Sequence, residues 1–276
     1  MKLHPKQTVL LTGASGGLGM YIARAFAPFG LNQALVAFPG KDLPPLKEEL
    51  EKNGINAFYL VADLRIRDER RRVVDEVKKK YGPIDILINN AGVEFTAPYH
   101  ALSEDDIHSV IEVNLEAPMQ LARMVIPDML ERRSGHIVNM SSLAGKSGPA
   151  YQEPYAATKS GLIAFTMSLR ESYFRSGVSA SAICPGFVEA GMYARHKRIS
   201  GCSAPALLGT SPPEKIGKAV IRAIQKDIPQ VIINPYPVRP LLLLSELSPR
   251  LGASVVRAIG ASEFFKRVSE AQKHKE

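Results

Sequence analysis

The chain has 276 residues, 45% of them hydrophobic, and carries a formal charge of +8. That length suits one large α/β domain as well as two small ones, and the apolar share is ordinary for a protein with a sizeable core. Its two cysteines, Cys184 and Cys202, give neither a disulfide framework nor a metal-ligand spacing, and no segment approaches the roughly 18 to 20 apolar residues of a membrane span.

Residues 1–7 are too short and polar a stretch for a signal peptide, so a soluble cytoplasmic protein is the expectation. The densest basic stretch, 65–80, also holds Asp68, Glu69, Asp75 and Glu76, and reads as a solvated mixed-charge helix rather than a nucleic-acid patch. An anionic cofactor, substrate or lipid headgroup would suit the net charge equally.

Residues 8–12 are apolar and β-branched without polar alternation, the pattern of a buried strand. They run into Gly13, Ala14, Ser15, Gly16, Gly17, Leu18 and Gly19, and a helical stretch covers 18–29. Strand, glycine loop and helix in that order hold a dinucleotide pyrophosphate on a helix N-terminus, although a plain flexible turn has the same composition. A second strand covers 34–38 and Pro39-Gly40 turns the chain. A helix over 43–53 is ended by Gly54. A third strand, 56–61, has Asp63 and Leu64 at its exit, and a basic helix follows over 68–81. The fourth strand, 84–88, leads into Asn89, Asn90, Ala91 and Gly92. Nearly all-apolar strands alternating with helices indicate a parallel sheet buried on both faces. Ligands of such sheets bind beyond the carboxyl ends of the strands, where Gly13, Asp63 and Asn90 fall.

Ser103, with acids at 104–106, opens a long helix that carries Asn114, and a later segment runs to about 131. An amide among apolar residues needs partners, whether for structure or for a site. The fifth strand, 135–141, delivers Ser141 and Ser142. Pro154 then suits the first turn of a helix reaching about 175, on which Tyr155 and Lys159 share a face at i and i+4. An ammonium held there favours the phenolate, so the expectation is a tyrosine acidic enough to exchange protons with an alcohol or ketone. A solvated lysine beside a half-buried tyrosine is the plainer alternative. The sixth strand, 178–184, ends in Pro185-Gly186.

Residues 187–210 break the pattern and read as a long loop of the kind that forms lids. Ser211-Pro212-Pro213-Glu214 reads as a capping box opening a helix to 226, and 231–233 is a seventh strand. Beyond 238 come four leucines, 241–244, and an amphipathic helix near 253–268. This tail could dock on the domain, form a subunit contact or lie on a membrane surface; docking is the preferred reading.

These residues together resemble the short-chain dehydrogenase/reductase family, in its short single-domain branch. The resemblance rests on Thr12-Gly13 with Gly17 and Gly19, on Asp63, Asn89-Asn90-Ala91-Gly92, Asn114, Ser142, Tyr155 with Lys159, and Pro185-Gly186. It implies a Rossmann-type, doubly wound, seven-stranded parallel sheet with helices on both faces. Residues 1–237 would be the catalytic domain, with a substrate lid at about 187–210, and 238–276 a C-terminal helical extension. It also implies reversible hydride transfer between NADP or NAD and a hydrophobic ketone or secondary alcohol, steroid-, acyl- or polyketide-like. The alternative is a dinucleotide-binding regulatory or scaffold protein that has lost catalysis.

By the same resemblance Tyr155 would be the acid/base, Lys159 would hold the nicotinamide ribose, Ser142 would polarise the substrate oxygen, and Asn114 would hold a water linking Lys159 to solvent. Gly13, Ser15, Gly16, Gly17, Leu18 and Gly19 would wrap the pyrophosphate. Asp63, Leu64, Asn90, Ala91, Gly92, Pro185, Gly186 and Val188 would complete the cofactor site. Val93, Glu94, Leu143, Tyr151, Gln152 and Phe187 would border the substrate. No metal is expected, and a dimer or tetramer is. Two departures stand out. Ala190 occupies a place where the family often has threonine. The residues aligned with cofactor choice, Gly16, Ala37 and Phe38, repel no phosphate, and with Lys41 nearby they tip the expectation towards NADP.

Overall fold

The computed structural model describes residues 1–273, so 274–276 of the expected extension lie outside the described residues. In chain order the elements begin β1 (Thr8–Thr12), α1 (Gly19–Phe26), β2 (Asn32–Ala37), α2 (Leu43–Lys52), β3 (Ala57–Val61), α3 (Arg67–Tyr81) and β4 (Ile86–Asn89). They continue α4 (Glu104–Ile111), α5 (Ala117–Glu131), β5 (Gly135–Met140), α6 (Ala144–Ser147), α7 (Glu153–Ser172), β6 (Val178–Pro185) and α8 (Gly191–Ser200). The chain closes with α9 (Glu214–Lys226), β7 (Gln230–Ile233), α10 (Arg239–Leu247), α11 (Pro249–Ala258) and α12 (Ala261–Lys273).

The strands form one seven-stranded sheet in the order β3-β2-β1-β4-β5-β6-β7, every pair parallel. Successive strands progress outward from β1 in one direction, then from β4 in the other. The crevice where the order reverses lies beyond the carboxyl ends of β1 and β4. One core packs α1, α2 and α9 on Leu11, Leu35 and Ile88; the other packs α3 and α5 on Leu10, Val36 and Leu87. Each fully buried aliphatic side chain of this kind contributes about 1.5–3 kcal/mol, and covering both faces explains why the strands lack polar alternation.

Four expectations change. The long helix through Asn114 is not uniformly α: a π turn at Glu112–Glu116 joins α4 to α5, and Asn114 sits buried within it. Such wide turns recur where a helix departs from regular bonding near a site. The stretch 187–210 is not all loop, because it contains α8. Its buried residues Tyr193 and His196 are three apart and so share a face, and Gly201 ends it at φ +68°. Ser211 caps nothing. Its backbone pairs with the exit of β6, through a bridge to Val188 and a bond from its N–H to Phe187, which buries the hydroxyl. Strand five stops at Met140, one residue before Ser141.

The tail docks. Phe264 and Phe265 of α12 meet Phe187 and Tyr193, with the Phe187 and Phe264 ring centroids 5.1 Å apart. Helices α10 and α11 form a hairpin closed where Gly252 meets Ser245; a Cβ at Gly252 would lie 2.4 Å from the serine Oγ. Among the described residues no helix is long and apolar enough to cross a membrane.

Candidate active site

Beyond β1 and β4 lies a cleft of about 550 Å³. Every residue expected to hold the cofactor borders it except Gly19 and Lys159, which lie just beneath. The glycines there answer to space as much as to flexibility. A Cβ on Gly13 (φ +63°) would sit 2.7 Å from the Cα of Ala91, and one on Gly17 would sit 2.2 Å from the N of Gly191. The loop is therefore pressed between the end of β4 and the start of α8, leaving its backbone open to the cleft. Asn90 is less free than expected, since its Nδ2 donates to the carbonyls of Thr12 (3.1 Å) and Gly13 (2.9 Å) and sutures β1 to β4.

Asp63 is also engaged. Arg65 donates to its carboxylate from Nε and NH2, at 2.6 Å for the latter, and this hydrogen bonding holds the acid below its usual range. Arg65 itself borders the cleft beside Ala37 and Phe38, whereas Lys41 does not. Arg65 reaches that edge because it lies beyond β3, adjacent in space but not in sequence to the end of β2.

Tyr155, Ser142 and Lys159 converge where β5 ends and α7 begins. Both Tyr155 and Lys159 are buried, with the Lys159 Nζ 5.5 Å from the tyrosine ring centroid and donating to the Met140 carbonyl at 2.8 Å. The expected direction of the tyrosine's acidity is reversed. Burial and then the negative charge of Glu94 push the phenol well above its ordinary 10.0, and a hydrogen bond with Ser142 only partly opposes them. Burial also lowers Lys159 to about 8, against the charges of Cys184 and Glu94. Desolvation wins because both groups are buried and the amine faces a carbonyl rather than the phenol oxygen.

The Asn114 side chain is held by protein groups. Its Oδ1 accepts from Val93 N–H at 2.8 Å, and its Nδ2 donates to the Val93 carbonyl at 2.8 Å and to Thr158 Oγ1 at 3.3 Å. It ties the chain after Gly92 to α7, which fixes Val93 against the catalytic helix.

A second, apolar cavity of about 150 Å³ adjoins the first, and Ser142 and Tyr155 border both. Leu143, Gln152 and Phe187 line it as expected, together with Leu208 of the lid. Val93 faces the cofactor cleft instead, and Tyr151, at φ +63°, turns to a surface depression beside α11 and α12. Glu94 is on the cavity wall but is no free side chain. His196 Nε2 lies 2.5 Å and Arg195 NH2 3.1 Å from its Oε1, and Gln152 donates to Oε2 at 2.8 Å. Burial works to raise this acid, but the hydrogen bond and charge of His196, then Arg195 and Gln152, bring it below its usual range. The cluster joins the exit of β4, α8 and the residue preceding α7, so it sets the lid against the catalytic helix. Sequence reading missed His196, and it missed the tail residues Leu241, Leu242, Val256 and Phe265 that roof the cavity.

Glu94→Gln is expected to raise the KM for ketone severalfold and to move the limb on which alcohol oxidation rises with pH to lower pH. The charge that raises the Tyr155 phenol is then gone. A pH–rate profile checks this; an unshifted limb would leave Glu94 only a structural tie.

A sequence pattern described as short chain dehydrogenase matches residues 7–199. The ketoacyl reductase HetN of Nostoc sp. (strain PCC 7120) is 36% identical over 269 residues, spanning 96% of this chain and 93% of that protein. The crystal structure of actinorhodin polyketide ketoreductase with NADPH superposes with a TM-score of 0.77 at 28% identity, over 83% of this chain and 97% of that one. A metagenomic short-chain oxidoreductase in complex with NADP gives 0.72 at 30% identity, over 86% and 100%.

Proposed function

This chain belongs to the short-chain dehydrogenase family and is an oxidoreductase, and from that premise we propose that it moves a hydride between NADP(H) and a hydrophobic ketone or secondary alcohol of the acyl or polyketide kind. The observation that carries the reading is the shared wall: the dinucleotide-shaped cleft and the apolar cavity meet at Ser142 and Tyr155. The relatives named for ketoacyl and polyketide reduction support the substrate class, as do the leucines, valines and phenylalanines around the cavity.

The residues fit a dinucleotide. Gly13 and Gly17 leave no room for side chains, and the α1 N-terminus adjoins their loop, which suits a pyrophosphate. Arg65 would meet the 2′-phosphate, with no carboxylate at the end of β2 to repel it, and Lys159 would hold the nicotinamide ribose. Bound there, the nicotinamide supplies the hydride in reduction or accepts it in oxidation.

The protein's own part is the proton and the polarisation. A phenol kept protonated by burial is a stable donor, so Tyr155 holds its proton until an alkoxide forms within reach. Ser142 donates a hydrogen bond to the carbonyl oxygen, where negative charge develops. The protonated Lys159 then sits close to the phenolate that remains and stabilises it until a proton returns. In oxidation the same groups run in reverse, with Tyr155 as base.

Nicotinamide fluorescence tests this: titration with NADPH, then decay on adding a β-keto thioester, a bicyclic aliphatic ketone or a steroid ketone. The expected result is binding and turnover, fastest with the thioester. Binding without decay on any ketone would favour the non-catalytic scaffold. Arg65→Ala is expected to weaken NADPH about tenfold and NADH hardly at all, since a guanidinium–phosphate pair is charge-assisted. Equal losses for the two dinucleotides would remove Arg65 from cofactor choice.

A further inference from the structure

The hairpin α10–α11 has two unlike faces. Its inner face is the roof of the apolar cavity, through Leu241, Leu242, Val256 and Ile259. Its outer face is uncovered: Leu243, Leu247 and Leu251 are 62%, 85% and 51% exposed. The first two lie on one side of α10 at i and i+4, and Leu251 continues the apolar ridge on α11. Three exposed leucines on one short hairpin are unlike the scattered apolar residues a soluble surface ordinarily carries.

The charges beside the ridge are mostly positive. Arg239, Arg250 and Arg257 are exposed, and none has a carboxylate within 4 Å among the described residues, whereas Lys266 and Arg267 of α12 pair with Glu270 and Glu263. Glu246 is the single acid of the hairpin.

We propose that this outer face binds an anionic lipid surface, the leucines entering the acyl boundary and the three arginines meeting headgroup phosphates. A leucine ridge flanked by unpaired arginines has the two terms of interfacial binding, buried apolar area and attraction to anionic lipid. A second copy of the chain fits less well. A twofold contact would place the same patch on both sides and bring three unpaired arginines against three. The inner face adds a functional reason, because a ligand suited to the apolar cavity dissolves in the lipid phase on the hairpin's other side. The inference stands apart from catalysis, as membrane binding needs neither Tyr155 nor a dinucleotide.

The test is sedimentation of the full chain with vesicles of phosphatidylcholine alone and with added phosphatidylglycerol, beside a measurement of its mass in solution. The expected result is pelleting with the phosphatidylglycerol vesicles, weakened by salt. It should fall at least about tenfold in the triple variant Leu243→Ser, Leu247→Ser, Leu251→Ser, with NADPH affinity unchanged. An Arg239→Gln, Arg250→Gln, Arg257→Gln variant should lose the preference for phosphatidylglycerol. The proposal is overturned if the unaltered chain stays in the supernatant with both vesicles. It is equally overturned if the leucine variant pellets as well as the parent, or if that variant halves the mass in solution, which would make the ridge a contact between copies.

Discussion

Tyr155→Phe removes one oxygen, and ketone reduction should fall by about 10²–10⁴-fold, the range for loss of a positioned acid. The ring keeps its packing against Lys159, so NADPH should bind within about twofold of the parent and the fold should be undisturbed. The size of the loss follows from where the phenol sits. It is buried at the junction of the two chambers; among the described residues the other hydroxyls bordering both belong to Ser142 and Tyr193, and the Tyr193 oxygen accepts from Ala204 N–H at 3.1 Å. Ser142 has its own task, and its Oγ already accepts from Ala144 N–H at 3.1 Å. A single-turnover measurement of NADPH oxidation checks the prediction. Rates close to the parent's would take Tyr155 out of the reaction.

Lys159→Met should move activity and stability in opposite directions. Activity should drop by about two orders of magnitude or more, because the phenolate left after proton transfer loses its nearby cation. Stability at pH 7 should rise by about 1–2 kcal/mol. Burial lowers this lysine from 10.5 to about 8, a native-state penalty of roughly 3 kcal/mol, offset by about 1 kcal/mol for the lost bond to the Met140 carbonyl. The sign follows from proton binding. Between about pH 8 and 10.5 the unfolded chain holds a proton that the folded chain has released, so the parent gains stability as pH rises through that window. The variant has no such group. Its advantage in thermal melts should be full below about pH 8 and shrink towards 10.5. A variant less stable than the parent at pH 7 would mean that the amine is held by more than one carbonyl.

The sheet was legible because β1, β2 and β4 are mostly apolar runs between turn signals, and such runs leave few alternatives. The juxtaposition of Tyr155 with Lys159 was legible from helical spacing alone. The direction of their proton affinities was not, because it depends on burial at the β5 exit and on the charge of Glu94, neither of them a neighbour in sequence. Helix α8 hid among Arg195, Lys197 and Arg198, with only Tyr193 and His196 marking its inner face. The roof of the cavity rests on contacts such as Phe187 with Phe264, across a separation that no local pattern records. The π turn carries no residue signal that distinguishes it from the helices on either side. Ser211 misled because a serine before two prolines and a glutamate resembles a cap, while its backbone was already committed to Val188.

The central claim is that a buried, protonated Tyr155 donates the proton and that Lys159 must be charged to hold what remains. The pH dependence of ketone reduction at saturating NADPH tests both at once. The rate should be level from about pH 6 to 7.5 and decline above about 8, where Lys159 loses its charge, and no such decline should be seen in Lys159→Met. A rate that stayed level to pH 10 in the parent, or that declined alike in parent and variant, would contradict it.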